Sequence, residues 1–203
     1  MPACFLVCHS PDAGKTTLLA ALLAKVDARE RIVCVEDAAE LQPQHPHVVR
    51  LVARAANVEG VGEVTVRQLV RQALRMRPDR VVVGEVRGAE VVDLLTALNT
   101  GHDGGAGTVH ANSPREVPAR LEALAALGGM AAAALHSQLA AAVQVVLHVH
   151  RGADGSRGLA GIGVLSRSAS GTVSVLNAWS RAAGPGEAAP LLAELLGERG
   201  VQL

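Results

Sequence analysis

The sequence predicts an α/β protein in which helices flank a mostly parallel sheet. Up to about residue 142, short apolar runs alternate with segments of helical periodicity, a pattern typical of a parallel sheet covered on both faces. Beyond residue 143, three strand-like segments follow with only Gly-, Ser- or Asp-containing turns between them, and we expect them to pair antiparallel at one edge. The predicted organisation is a core at 1–142, antiparallel strands at 143–181 packed on the same domain, and a linker with a short helix at 182–203.

Each predicted element follows from a local pattern of apolar, capping and turn residues. Thr65 is a candidate N-cap, Pro78 ends the helix before it, and Gly101 is a candidate left-handed cap. In chain order we expect a strand at 3–8, a helix at 15–26, strands at 31–37 and 47–54, a helix at 66–76, a strand at 79–88, a helix at 89–100, a short strand that starts near 108 and ends in His110, a helix beginning near Pro114, an Ala-rich helix through 123–135, and strands at 143–152, 159–168 and 172–180.

Charge and composition exclude several classes of protein. The 203 residues carry 19 basic and 19 acidic side chains, so no net positive field favours nucleic acid as a partner. Apolar runs are too short to span a membrane, and the N-terminal stretch lacks the features of a signal peptide, so we expect a cytoplasmic protein. The three cysteines lie in apolar runs without metal-ligand spacing, which predicts buried free thiols.

The stretch "CHSPDAGKTTLL" keeps the second half of a phosphate-binding loop. Such a loop points backbone N–H groups at phosphate oxygens, adds a lysine charge, and uses a Ser or Thr hydroxyl as a magnesium ligand. The run from Ala13 to Thr17 supplies these groups between an apolar strand and a helix. His9 stands where glycine is expected, and Asp12 brings a carboxylate that would repel phosphate. Taken alone, the run is also compatible with a chance helix start.

Acidic side chains follow two of the predicted strands. Glu36 and Asp37 end one strand, and Glu85 ends another, where phosphate-loop enzymes carry a magnesium-binding or water-orienting carboxylate. Solvated strand ends are the alternative for the first pair. His110 follows a glycine-rich loop, where it is able to sense a γ-phosphate or to serve as an ordinary structural histidine.

Taken together in this order, the motifs resemble those of the secretion ATPase superfamily, whose members drive type II and type IV secretion and pilus assembly. "VEDAAEL" resembles the aspartate box, "ALRMRPDRVVVGEVRGAE" the atypical Walker B segment, and "TGHDGGAGTVHANSPREVPARLE" the histidine box. The likeness is greatest to the tight-adherence pilus branch. It implies a RecA-like P-loop NTPase core.

The resemblance implies a role for each site residue. Catalytic roles fall to Glu85, Glu36 and His110, and magnesium contacts to Thr16 and Glu36. Contacts to ATP fall to Ala13, Gly14, Lys15, Thr16, Thr17, Arg50, Arg54 and Arg87, the last with a further role between subunits. The implied cofactors are ATP and Mg²⁺, and the implied partners are further copies in a hexameric ring and an inner-membrane secretion or pilus platform protein.

Two departures from the family pattern keep a second hypothesis open. The glycine-rich beginning of the phosphate loop is missing, and nothing precedes the first strand where relatives carry another domain. We expect the C-terminal motor half alone: a truncated relative, a wrongly started reading frame, or a subunit whose other part is a separate chain. The hypotheses are therefore an ATP-hydrolysing motor, which we favour, and a weakly active or inactive assembly module of the same fold.

Overall fold

The computed structural model describes residues 3–9, 13–102 and 104–200. Within these ranges the strands are β1 (Phe5–Cys8), β2 (Ile32–Glu36), β3 (Val48–Val52), β4 (Arg80–Val86), β5 (Ala106–Val109), β6 (Val145–Arg151), β7 (Arg157–Arg167), β8 (Val173–Ser180) and β9 (Gly184–Pro185). The helices are α1 (Lys15–Leu23), α2 (Val66–Ala73), α3 (Glu90–Leu98), α4 (Val117–Leu127), α5 (Ala132–Ala142) and α6 (Ala189–Gly197), with 3₁₀ turns at Leu74–Met76 and Pro114–Glu116.

The strands form a single nine-stranded sheet in the order β3-β2-β4-β5-β1-β6-β7-β8-β9. The six strands from β3 to β6 in that order are mutually parallel, and the remaining three pair antiparallel. The predicted fold class, a mostly parallel sheet with antiparallel strands towards the C-terminus, is therefore confirmed. The carboxyl ends of β1, β2, β4 and β5 meet along one edge, where polar side chains gather.

Strand β6 joins the two parts of the sheet, which the sequence did not predict. It pairs antiparallel with β7 as expected, but it also pairs parallel with β1, in the register Phe5↔Val145. Just before this ladder, Cys4 and Gln144 exchange two hydrogen bonds, from Cys4 N to the Gln144 side chain (2.9 Å) and from Gln144 N to the Cys4 carbonyl (3.1 Å). The antiparallel strands are therefore continuous with the strand that leads into the phosphate loop.

Both faces of the parallel sheet are covered, because alternate residues of each strand face opposite helices. In β2, Ile32 and Cys34 pack with Leu19 and Leu23 of α1 on one face. Val33 and Val35 face the larger cluster on the other side, to which α2, α3, α4 and α5 contribute. Helix α6 packs on the antiparallel strands through Leu192.

Several local predictions agree with the structure and two need correction. Thr65 caps α2 in a reciprocal capping box with Gln68, and Gly101 is left-handed (φ 91°). The Ala-rich segment is not one helix: α4 ends at Leu127 and α5 starts at Ala132, with Gly129 at φ 80° between them. The short strand predicted to end in His110 starts and ends earlier, at Ala106–Val109, so His110 follows β5 directly.

All three cysteines are buried free thiols, as predicted. Burial raises the pKa of both Cys8 and Cys34 to about 12, so these thiols stay protonated near neutral pH. Among the described residues no helix is both long and apolar enough to cross a bilayer.

Candidate active site

The phosphate loop leads directly into α1. Lys15 is the first residue of the helix, and Gly14 before it adopts a left-handed conformation (φ 94°) that favours glycine. The Gly14 carbonyl accepts the first helical hydrogen bond from Leu18 N (2.9 Å). The first N–H groups of a helix have no acceptor within the helix, so this end suits an anion.

Lys15 turns back over the loop towards the end of β1. The residue is 7% exposed, and its Nζ donates a hydrogen bond to the His9 carbonyl (3.3 Å). The His9 ring stacks on the ring of His148 in β6, with centroids 5.1 Å apart. Asp12, predicted to repel phosphate, lies outside the described residues.

A cleft of about 320 Å³ opens at the start of α1. Its lining residues are Gly14, Lys15, Thr16, Thr17, Glu40, Glu85, Arg87, Thr108, His110 and Arg157. Seven of the predicted site residues are in this set, namely Gly14, Lys15, Thr16, Thr17, Glu85, Arg87 and His110. They come from α1 and from the ends of β4 and β5, so segments far apart in sequence converge on one cleft.

Glu85 lies near the end of β4, and its two carboxylate oxygens contact different side chains. Oε2 accepts a hydrogen bond from Arg87 (2.6 Å), and Oε1 contacts Nε2 of His110. Burial tends to raise the pKa of this carboxyl, but the Arg87 hydrogen bond and the charges of His110, Arg87 and Lys15 outweigh it, so the pKa lies below its usual value. Glu85 is therefore ionised near neutral pH.

Arg87 connects the ends of two neighbouring strands. Besides its bond to Glu85, it donates to Asp37 Oδ2 (2.8 Å), the residue directly after β2. The hydrogen bond from Arg87 to Glu85 raises the pKa of the guanidinium, which is already fully charged. Asp37 therefore forms an ion pair with Arg87. The sequence analysis had left open that Asp37 is only a solvated residue at a strand end.

Glu36 is placed differently from the other predicted acids. It is 3% exposed at the end of β2 and does not line the cleft. Its Oε1 accepts hydrogen bonds from the backbone N–H groups of Glu40 (3.1 Å) and Leu41 (2.7 Å), while Oε2 is buried without a hydrogen-bond partner. Burial raises the pKa of this carboxyl above its usual value, against the opposing effect of the two N–H donors and Arg50. The carboxylate holds the turn that carries Glu40 to the cleft.

The remaining predicted contacts do not line the cleft. Ala13 is buried beside the loop, while Arg50 lies on β3, the outermost parallel strand. Arg54 follows β3, and its Nε donates to the Gly62 carbonyl (2.8 Å). In this conformation the two arginines are apart from Lys15 and Glu85.

Three lining residues were missed by the sequence analysis. Glu40 and Thr108 lie inside motifs that had been noted, so their polar side chains were an available signal. Thr108 is buried and donates to the Gly84 carbonyl (2.7 Å), which ties β5 to β4 beside Glu85. Arg157 begins β7 with no local motif, and only the sheet order brings it to the cleft.

The strand–loop–helix unit with a buried lysine, facing an acid and a histidine at the same sheet edge, defines a RecA-like phosphate-loop domain. Residues 2–157 match the model of the family described as "Type II/IV secretion system protein". The chain belongs to this family of secretion ATPases.

Known proteins similar to this chain agree with that assignment. A putative conjugal transfer protein of Mycobacterium tuberculosis is 70% identical over 195 residues, which are 96% of this chain and 55% of that protein. The crystal structure of the VirB11 ATPase from the Brucella suis type IV secretion system, in complex with sulphate, is similar with a TM-score of 0.70 and 30% identity, over 80% of this chain and 48% of that one.

The pilus retraction motor PilT with bound ADP has a TM-score of 0.60 and 20% identity, over 98% of this chain and 52% of that one, a likeness in fold alone. The chain spans about half the length of the curated relatives it matches. The tight-adherence branch stays a prediction.

Proposed function

We propose that this chain is an ATP-hydrolysing motor domain that powers secretion or pilus assembly. The observation that carries the proposal is the convergence of Lys15, Glu85 and His110 on one cleft at the N-terminus of α1. A buried lysine and a helix N-terminus bind phosphate, and an ionised acid beside them supports chemistry on it. The VirB11 ATPase named above, which is 30% identical to this chain, supports the same activity.

A magnesium ion fits the side chains of the cleft. The Thr16 hydroxyl and the carboxylates of Glu40 and Glu85 line the same space, and magnesium is commonly held by one or two carboxylates together with substrate phosphates. Glu36 remains a candidate through its buried Oε2, which has no hydrogen-bond partner. When bound, the ion would supply positive charge to phosphate oxygens.

In the proposed reaction Glu85 accepts a proton from the attacking water. The water oxygen forms a bond to the γ-phosphorus, the bond from that phosphorus to the β–γ bridging oxygen breaks, and ADP and phosphate leave. Both Glu85 oxygens contact side chains in this conformation, so one of them must be released first. Movement of Arg87 or His110 towards the phosphate charge would release one Glu85 oxygen. The same movement would remove a contribution that lowers the Glu85 pKa, so Glu85 would become a better base.

The second candidate is a non-catalytic module of the same fold, and the observation that favours it is His9. A histidine at this position replaces a glycine whose backbone could approach phosphate closely. Such a chain would bind ATP weakly or without turnover.

Glu85→Gln tests the proposal. We expect binding of a fluorescent ATP analogue with magnesium to be retained and phosphate release to fall by about 100-fold or more, because proton transfer to a positioned base contributes about that much. Glu59→Gln, an exposed acid in the loop after β3, is the matched control and should leave both unchanged. Binding without turnover by the unmodified chain, or no binding at all, would contradict the motor and favour the non-catalytic module.

Assembly into a ring, most simply a hexamer, and docking on a membrane platform protein belong to the same proposal. Support comes from the relative's description as part of a type IV secretion system. Sedimentation velocity with Mg-ATP measures the assembled mass, and a monomer at every concentration would contradict the ring. The near-even charge of the chain supports protein partners over nucleic acid.

A further inference from the structure

Arg157 reaches the phosphate cleft from a part of the fold outside the recognised motifs. It is the first residue of β7, and it lines the cleft together with Gly14 and Lys15. A Cβ atom added to Gly14 would lie 3.1 Å from Cδ of Arg157, so the arginine stem lies directly against Gly14. Two features therefore favour glycine at position 14: its left-handed backbone conformation and the close approach of the Arg157 side chain.

The hairpin between β6 and β7 holds the Arg157 backbone in place. Gly152 N donates to the Ser156 carbonyl (2.7 Å), and Asp154 Oδ1 accepts from both N and Oγ of Ser156 (3.0 and 2.7 Å). Gly155 adopts φ 82° at the tip and donates to the Gly152 carbonyl (2.9 Å). A turn with these internal bonds presents Arg157 at a fixed point beside the loop.

Three cationic side chains of the cleft come from different parts of the chain. Arg87 is held by Glu85 and Asp37, and Lys15 bonds to the loop backbone. Arg157 adds a guanidinium from the far side of β1, two strands away in the sheet order, and this group matches the geometry of phosphate oxygens with paired donors.

We propose that Arg157 binds the β- or γ-phosphate of the nucleotide held in the cleft of its own chain. The inference rests on the proposed function, since it deepens the same site. It also assigns the β6–β7 hairpin a role in binding, so the antiparallel part of the sheet contributes to the nucleotide site.

The test compares Arg157→Gln with Arg151→Gln by isothermal titration with Mg-ATP, Mg-ADP and AMP. Arg151 is the matched control: it is paired with Arg157 across the hairpin, is exposed, and does not line the cleft. We expect Arg157→Gln to weaken Mg-ATP binding about 10- to 100-fold, the value of a hydrogen bond to a charged group. The effect should be smaller for AMP, and Arg151→Gln should stay within about twofold of the unmodified chain.

The outcomes separate this inference from the proposed function. If the unmodified chain binds Mg-ATP, Lys15→Ala abolishes binding and Arg157→Gln does not weaken it, the inference is overturned and the proposed function stands. An equal loss for ATP and AMP would also overturn it, because a structural role would not depend on the number of phosphates. If the unmodified chain binds no nucleotide, both fail. Partial recovery of affinity in Arg157→Lys, with an unchanged thermal midpoint for each variant, supports the phosphate contact.

Discussion

The ends of β2 and β4 carry the same residue type at neighbouring positions of one parallel sheet, yet the two glutamates have opposite properties. Val35 pairs with Val83, so Glu36 and Gly84 are next in register, followed by Glu85 on β4. Glu36 is almost completely buried and its pKa is raised, whereas the Glu85 side chain is 16% exposed and its pKa is lowered. A strand end places an acid at the sheet edge, but the groups around it decide in which direction its pKa shifts.

The hydrogen-bond partners explain this difference. Glu36 accepts from two backbone N–H groups of the turn that follows it, so it fixes the path of the chain towards Glu40. Glu85 is held by the side chains of Arg87 and His110, which are able to move without unfolding a turn. The first arrangement suits a structural carboxylate and the second a reactive one.

Gly84 allows both arrangements to exist side by side. A Cβ atom at this position would lie 2.7 Å from Cγ of Glu36, closer than such atoms approach in proteins. The Gly84 carbonyl also accepts the hydrogen bond from Thr108. This glycine, which stands where an acid is often found, makes room for an acid from the next strand.

Gly84→Ala should have the largest effect on stability. Because Glu36 is buried and its Cγ cannot swing aside, we expect a loss of about 1–3 kcal/mol in the free energy of unfolding, the usual cost of overpacking. Urea unfolding followed by circular dichroism measures it. Gly197→Ala in α6, where no atom lies within 4 Å of the new Cβ, is the control and should be neutral or stabilising by up to about 1 kcal/mol.

A double-mutant cycle sharpens this prediction. Glu36→Ala removes the crowded Cγ, so Gly84→Ala should cost less in that background than in the unmodified chain. If the losses of stability from the two substitutions were additive, contact between residue 84 and the Glu36 side chain would not be the cause of the destabilisation.

Thr108→Val should have a smaller effect, of about 1 kcal/mol. The substitution keeps the branched shape of a buried side chain and removes only its hydrogen bond to Gly84, whose carbonyl then loses a buried donor. Thr96→Val is the control, because the exposed Thr96 hydroxyl bonds only to Val92 within its own helix. Thermal unfolding of both variants provides the measurement, and equal midpoints would contradict the expectation.

The pH dependence of stability should show the smallest and most diagnostic difference. The raised pKa of Glu36 means that the folded state binds its proton more tightly, so its contribution is fully present below the ordinary value of 4.5 and is lost as pH rises through the folded pKa. The lowered pKa of Glu85 has the opposite sign: its contribution is present above 4.5 and is lost as pH falls through the folded pKa.

Urea unfolding from about pH 3.5 to about pH 7 separates the two groups. Relative to Glu36→Gln, the unmodified chain should gain stability on acidification. Relative to Glu85→Gln, it should lose stability below 4.5. Slopes of the same sign would contradict the comparison between the two strand ends.

Much of the fold was predictable because its signals are local. The alternation of apolar strands and helices, the Thr65 cap and the left-handed Gly101 each depend on a few adjacent residues. The pairing of β6 with β1 could not be predicted from the sequence, because it joins residues about 140 positions apart. One of the hydrogen bonds that join them runs from Cys4 N to the Gln144 side chain (2.9 Å). The break between α4 and α5 did have a local signal in its glycine pair, which the prediction of one helix overlooked.

The candidate site likewise contains residues that the sequence predicts and residues that only the tertiary structure places there. Lys15, Glu85 and His110 were predicted from motifs, since the ends of parallel strands must share one edge. Glu36 came from the same kind of motif, but its burial depends on Gly84 of another strand. Arg157 had no motif, and its proximity to Gly14 depends on the order of strands across the sheet.

The sequence by itself determined which segments become strands and which residue types end them, because both follow from short-range periodicity and turn chemistry. The tertiary structure alone decided which acid is buried, which is held by cationic side chains, and which arginine of a distant hairpin lies against Gly14. Burial and charge pairing depend on atoms brought within a few ångströms by long-range strand order, and no local pattern of residues encodes those distances.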